Sequence, residues 1–349
     1  MPDFNPQKTW LYAVGILEWA AEEIWTPFPD AVEGRFDEKL VNFFKYSGVP
    51  EEQIIYLQDS EATFEEITSS FPEFVANAGE EDLLIVYFAG HGDWDSETGK
   101  HFFVNYDANA ENRDNYWSVT SIFDDIENNF NGWQALLLAD CCFSGGLIDE
   151  AKRRQDSEIS YACVSSAYTH NTSTGDWTFT ESLYKGLCGD PSVDLDSDGL
   201  ITLYDFARYT ELEMAFIEEQ KSMFFTTGDF DQQMVLANVS EDINPIEGKR
   251  VEVEYEGDWY KAKTLEKSDG QVKVFYIEDK SEDWVTPAQI RPYKPEMFAV
   301  GDEVEAYSGE EWIAATVKKQ WYGLHLVTYD DYPEWWDEWV GSEYIRARQ

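Results

Sequence analysis

Two short stretches of this chain are almost free of polar side chains: Leu83-Leu84-Ile85-Val86-Tyr87-Phe88 and Ala135-Leu136-Leu137-Leu138. A strand with one wet face alternates apolar and polar residues. An unbroken apolar run of this length therefore predicts a strand covered on both sides, as in a parallel sheet lying between layers of helices. Residues 161–165 read the same way, and 10–17 and 53–57 are strand-like. Between the strands lie helical patterns at 36–46, 62–76, 118–128, 180–187 and 203–219. Glu65 and Glu66 stand near the start of the second, where the helix dipole favours acids. Alternating strands and helices predict an α/β fold for residues 1–240, a mainly parallel sheet with helices on both faces.

Near residue 240 the pattern changes. Glu241-Asp242-Ile243-Asn244-Pro245 has the composition of a linker, and only short β-like runs rich in Trp and Tyr follow it. These runs repeat. Trp259, Ala262, Trp284-Val285 and Ile290-Arg291 recur as Trp312, Ala315, Trp339-Val340 and Ile345-Arg346, offset by 53 residues early in the repeat and 55 late. The repeat predicts two small all-β barrels at 246–294 and 298–349.

Charge narrows the partners. Seventy acidic against 25 basic residues give a net charge of −45, which repels phosphate backbones and attracts basic peptides or proteins. The same charge also serves solubility or a salty habitat. The first residues lack a basic region followed by an apolar stretch, and no apolar run is long enough to cross a bilayer. Four cysteines do not make a disulfide framework, so the expectation is a cytoplasmic protein with reduced thiols and no membrane or nucleic-acid partner. Oligomeric state is left open.

The two apolar runs end in reactive residues. The first continues Ala89-Gly90-His91-Gly92, the second Ala139-Asp140-Cys141-Cys142-Phe143-Ser144-Gly145-Gly146. In parallel α/β sheets function collects at the carboxyl ends of strands, and the glycines permit tight turns and close approach of a substrate. A thiol needs an imidazole partner to act as a nucleophile at neutral pH, and the imidazole then passes its proton to the leaving group. His91 and Cys142 are therefore the candidate catalytic pair.

These motifs, 51 residues apart, resemble those of the caspase-like cysteine peptidases, particularly the prokaryotic, metacaspase-like branch. The resemblance covers about 8–240. It implies a caspase-like fold and a cysteine endopeptidase whose nucleophile lies two places after the aspartate, which is Cys142 here. It also implies an oxyanion hole from the amides of Gly92 and Cys142, and a basic substrate residue read by Asp140. Phe143 stands where metacaspases commonly have His, and the acids they carry after the next strand are missing from 165–171; Asp176 is a nearby substitute. Asp140 has a second reading, as a cap on the strand-end turn. Lys152-Arg153-Arg154 is the one run of three basic residues. It lies in a connection that caspase-like proteins often cut, so self-cleavage after any of the three is an expectation, an ordinary solvated loop the alternative.

Residues 194–205 match an EF-hand loop. Asp194, Asp196 and Asp198 fall at positions 1, 3 and 5, Gly199 at 6, the Leu200 carbonyl at 7, Thr202 at 9 and Asp205 at 12. Calcium is the expected cofactor, although the short Asp205 replaces the usual Glu. An acidic turn capping the next helix is the other reading.

The C-terminal repeat resembles Tudor-like or chromo-barrel modules of the SH3-like class. Trp312, Tyr329, Trp335 and Trp336 in the second copy, and Trp259, Tyr276 and Trp284 in the first, suggest an aromatic cage for a cationic side chain, or simply core. Three functions follow: an endopeptidase cutting after Arg or Lys; a catalytically weak adaptor whose barrels bind basic tails; and a caspase-like enzyme that prefers acidic residues.

Overall fold

The buried strands predicted from the apolar runs lie side by side. The structure is a computed structural model that describes residues 4–32, 34–109, 113–169, 173–240, 248–308, 311–321 and 323–348. The linker predicted at 241–245 falls outside these residues.

The described residues form two compact units, the first taking in Met1–Gly189, Val193–Met214 and Gln220–Asn238. In chain order this unit contains β1 (Thr9–Gly15), α1 (Phe36–Ser47), β2 (Ile54–Gln58), α2 (Phe64–Val75) and β3 (Leu83–Ala89). The three-stranded sheet β4 (Gly92–Asp95), β5 (Lys100–Phe103) and β6 (Trp117–Ser118) follows. Next come α3 (Val119–Asn129), β7 (Gln134–Asp140), α4 (Gly146–Arg153), β8 (Ser160–Ser165) and α5 (Thr178–Leu187). The last elements are β9 (Leu200–Thr202), α6 (Leu203–Ile217), β10 (Met223–Thr226) and β11 (Val235–Asn238).

The main sheet has the order β10-β8-β7-β3-β1-β2. All its pairings are parallel except the edge pair β10–β8. β1 is buried at every position, and β3 and β7 at all but their first, as expected for strands packed on both faces. Local chemistry sets the helix ends. Thr63 and Ser118 cap α2 and α3 by accepting from the Glu66 and Ser121 amides, and α1 stops at Gly48, whose φ of 97° suits a residue without Cβ. Beyond β1 the buried Arg35 guanidinium bonds the Gly15 carbonyl and both Asp37 and Asp59, and Asp59 also accepts from the Leu17 amide. That network fixes the chain as it leaves the sheet toward the reactive edge.

The second unit contains two five-stranded antiparallel sheets of matching order. One is β15-β14-β13-β12-β16, built from β12 (Arg250–Tyr255), β13 (Asp258–Ser268), β14 (Gln271–Tyr276), β15 (Glu282–Val285) and β16 (Ile290–Pro292). The other is β20-β19-β18-β17-β21, built from β17 (Glu303–Ser308), β18 (Glu311–Trp321), β19 (Leu324–Tyr329), β20 (Glu338–Gly341) and β21 (Ile345–Ala347). The long second strand of each breaks register once, at 264–266 and at 317–319, the bulge that lets such a strand bend. Repeat-matched residues fill both cores: Val253, Ala262 and Val285 in one, Ala306, Ala315 and Val340 in the other. Among the described residues no helix is long and apolar enough to cross a membrane.

Candidate active site

β3 and β7 pair in parallel up to Ala89 opposite Asp140, and the Gly90 amide then donates to the Asp140 carbonyl at 3.2 Å. His91 and Cys142 are the second residues past that last pair. Their loops touch. A Cβ on Gly92 would come within 1.9 Å of the Cys142 carbonyl oxygen, so only glycine fits there. Gly90 has a φ of 149°, and a Cβ would press on the Ile16 carbonyl at 2.9 Å. The glycines flanking His91 thus serve close backbone packing.

Three aromatic rings seat the His91 imidazole: Trp19, Phe28 and Trp25, with centroids at 4.4, 4.6 and 5.5 Å. Its Nε2 lies 2.8 Å from the Thr26 carbonyl oxygen. Because a carbonyl only accepts, this bond assigns the proton to Nε2 and leaves Nδ1 as the basic nitrogen. Burial pushes the imidazole below its ordinary value, partly offset by the Thr26 bond. Burial also raises the Cys142 thiol above its ordinary value, while the Ser173 amide, donating to the sulfur at 3.2 Å, pulls it down. At neutral pH the resting groups are thus a thiol and a neutral imidazole. Cys141 is enclosed and its thiol is pushed well up by burial, so Cys142 carries the more accessible thiol of the two.

Asp140 is 8% exposed and accepts from the Thr180 hydroxyl at 2.6 Å, which in turn bonds the Tyr87 hydroxyl. It lines a cavity of about 30 Å³ together with Leu17, Phe28, Gly90, Asp176 and Trp177. Both carboxylates named from the sequence, Asp140 and Asp176, therefore face one cavity.

The caspase domain model matches residues 37–226, more than half of the chain, and spans both reactive loops. The chain belongs to the caspase-domain family. Metacaspase-7 of Arabidopsis thaliana is 32% identical over 131 residues, covering 34% of this chain; the chain spans 31% of that relative's length. Among solved structures, protein GSU0716 from Geobacter sulfurreducens covers 67% of this chain and all of its own, at 14% identity and a TM-score of 0.45. AGDP1 AGD34 from Arabidopsis thaliana covers 29% of this chain and 81% of its own, at 21% identity and a TM-score of 0.14.

Other candidate residues of the caspase domain already have partners. Lys152 and Arg153 belong to α4, with Arg153 bonded to Glu150 and the Lys152 ammonium over the Phe225 ring. Arg154 follows the helix and binds Asp124, Glu127 and Glu150 together. In the acidic loop, the Asp194, Asp196 and Asp198 carboxylates gather with oxygens within 4.8 Å of one another, and Gly199 turns with a φ of 88°. Leu200 and Thr202 run in β9 against β11. Asp205 instead accepts from the Thr202 amide and hydroxyl, at 3.0 and 2.5 Å.

The aromatic residues of the second unit separate into two sorts. Trp312 lies under the Arg346 guanidinium at 4.1 Å, as Trp259 lies under Arg291 at 3.9 Å, and each Arg also bonds a glutamate on the neighbouring strand, Glu305 or Glu252. Tyr329 is 3% exposed and donates to Glu338. Tyr332 meets the Trp336 ring edge-on at 5.4 Å. The Trp335 side chain lies outside the described residues. In the first sheet, Tyr255, Tyr260 and Tyr276 line an open cavity of about 520 Å³, rimmed by Glu278, Asp279, Glu282 and Asp283. Glu282 also bonds Lys273.

Reading the sequence missed the Thr26 carbonyl, the aromatic seat of His91, Ser173 and the small sheet β4–β5–β6. A backbone carbonyl leaves no mark on a sequence. Gly92-Asp93-Trp94-Asp95 carries too little apolar pattern to announce a strand.

Proposed function

We propose that the caspase domain is a cysteine endopeptidase using His91 and Cys142. The single observation that carries this is the join between the two loops, with Gly92 packed against the Cys142 carbonyl and the His91 tautomer set by Thr26. His91 Nδ1 takes the Cys142 proton as the sulfur attacks the scissile carbonyl carbon. The amides of Gly92 and Cys142 stabilise the oxyanion; in a serine protease one such donor is worth on the order of 10²–10³ in rate. His91 then protonates the departing amine, and water attacking the acyl-enzyme, with His91 as base, returns the free thiol. Asp140 favours Arg or Lys before the cut bond. The test is a fluorogenic peptide panel with Arg, Lys or Asp before the reporter. Hydrolysis of the basic peptides alone, lost in Cys142→Ala, is expected; turnover that survives Cys142→Ala defeats the reading, and preference for Asp gives the acidic alternative.

In this reading Ca²⁺ is held by Asp194, Asp196 and Asp198 with the Leu200 carbonyl, a hard oxygen set suited to the ion. Asp205 and Thr202 join only by giving up their mutual bonds. Calorimetric titration with Ca²⁺ that yields no heat removes this part. Self-cleavage after Lys152, Arg153 or Arg154 requires the end of α4 to open and the Arg154 ion pairs to break. Intact mass of wild type and Cys142→Ala after incubation tests it.

A second reading has an observation of its own. The tyrosine-walled, acid-rimmed cavity of the first C-terminal sheet suits a basic side chain, which supports an adaptor role on basic protein tails. Titration of a Lys/Arg-rich peptide against wild type and Tyr260→Ala tests this independently of hydrolysis.

A further inference from the structure

The Cys142 sulfur is already engaged. It accepts the Ser173 amide at 3.2 Å and lies 3.8 Å from the Ser173 carbonyl oxygen. A scissile carbonyl must approach that sulfur to about 3–3.5 Å, so the Ser173 backbone holds the volume a substrate needs. The chain beyond Ser173 does the same at the neighbouring cavity. Thr174, Gly175, Asp176 and Trp177 wall it, and its volume of about 30 Å³ has room for one or two waters but not for a lysine or arginine side chain.

The segment 173–177 is tied down at both ends. Trp177 Nε1 donates to the Ala31 carbonyl at 2.9 Å. At the other end, Gln220 accepts the Thr174 amide through Oε1 at 3.1 Å, and its Nε2 donates to the Ser166 carbonyl and, at 3.3 Å, to the Ser173 hydroxyl. The Ser166 and Ser173 hydroxyls share a bond of 3.1 Å, and the Ser166 hydroxyl also accepts the Cys141 amide at 3.0 Å. Gln220 is almost wholly buried and touches none of the reacting atoms. Among the described residues, the Thr174 hydroxyl of this segment is buried and unbonded. An unsatisfied buried hydroxyl works against the closed seat.

We infer that residues 173–177 form an inhibitory strap over Cys142 and the Asp140 cavity, with Gln220 as the residue that latches it. The inference rests on the proposed role of Cys142. Release of the latch lets the strap swing off the sulfur, which opens the cavity to a basic side chain and frees the thiol for attack.

Two measurements on the full chain separate the strap from the peptidase reading. In the first, iodoacetamide labelling of each cysteine is followed by peptide mass spectrometry from pH 6 to 10 in wild type, Gln220→Ala and Ser173→Ala. The fitted plateau rate, which the pH dependence yields even where ionisation is incomplete at pH 10, reports access alone. It is expected to rise for Cys142 by about tenfold in Gln220→Ala, the shift that follows loss of one buried hydrogen-bond anchor, and by less in Ser173→Ala. Cys163 is fully buried and stays unlabelled in a folded variant. If Gln220→Ala exposes Cys163, it has unfolded and Ser173→Ala, which removes only a hydroxyl, decides. Unchanged Cys142 plateaus with Cys163 protected overturn the strap. In the second measurement, hydrolysis of Arg and Lys peptides is expected to rise with the labelling rate. Faster labelling with no hydrolysis in any variant sinks the peptidase reading and leaves the strap standing.

Discussion

The strands of the two units are buried in different ways, and the difference locates where each can carry function. In the caspase domain β1 and β7 are covered on both faces, so mid-strand side chains have no access to a ligand and chemistry is confined to the strand ends. In the C-terminal sheets burial alternates along β12 and β17, and every second side chain is available. The first of those sheets uses this freedom at its rim, with Tyr255, Tyr260 and Tyr276. The second, with the same strand order, has Ser308 and Ile313 where the repeat aligns Tyr255 and Tyr260. The scaffold is repeated while those two rim tyrosines are not.

The sharpest test of this contrast is a crossed pair of variants. Cys142→Ala is expected to lower peptide turnover on the order of 10³-fold or more, as loss of a nucleophile does, and to leave basic-peptide binding by the tyrosine cavity unchanged. If binding falls with it, the two functions are not separable. Next in size is stability. Leu137→Ala, in the middle of β7 and 1% exposed, is expected to cost about 2–5 kcal/mol in denaturant unfolding. Lys267→Ala, at the exposed end of β13, should stay within about 0.5 kcal/mol. Equal losses would erase the distinction between the two kinds of strand. Tyr260→Ala is expected to weaken basic-peptide binding by about 3- to 30-fold with peptidase activity intact. The smallest effect is in pH. The His91 imidazole lies below its ordinary 6.5, so the neutral base persists into mild acid and the acid limb of kcat/KM falls below pH 6.5. The Cys142 thiol lies above its ordinary 9.0, so its labelling inflects above pH 9. An acid limb above pH 7 would show that the aromatic seat does not desolvate the ring.

The legible parts of the sequence were those in which one residue type reports one physical demand. Apolar runs announced β3 and β7 within a residue or two, while the glycines beside His91, read as room for a tight turn and a substrate, make close contacts with the protein's own backbone. The repeat of Trp259 and Arg291 as Trp312 and Arg346 announced two sheets of one design. Illegible parts were those in which the backbone acts. Thr26 orients His91 through a carbonyl that any residue would supply, and Ser173 reaches Cys142 through its amide. Gln220 lies 78 residues after the cysteine it oversees, and nothing local marks it. The triplet 152–154 reads as an open basic segment because charge in a sequence does not reveal its partners; Glu150, Asp124 and Glu127 are those partners for Arg153 and Arg154.

The contact between residue 92 and the carbonyl of residue 142 means that the spacing of the two strand termini is set by a side chain that is not there. Any side chain at position 92 acts as a wedge, parting the two strand termini and carrying ring and thiol apart. Tuning of this centre therefore falls to the neighbours that hold the ring and cover the sulfur, because the hinge between them has no slack.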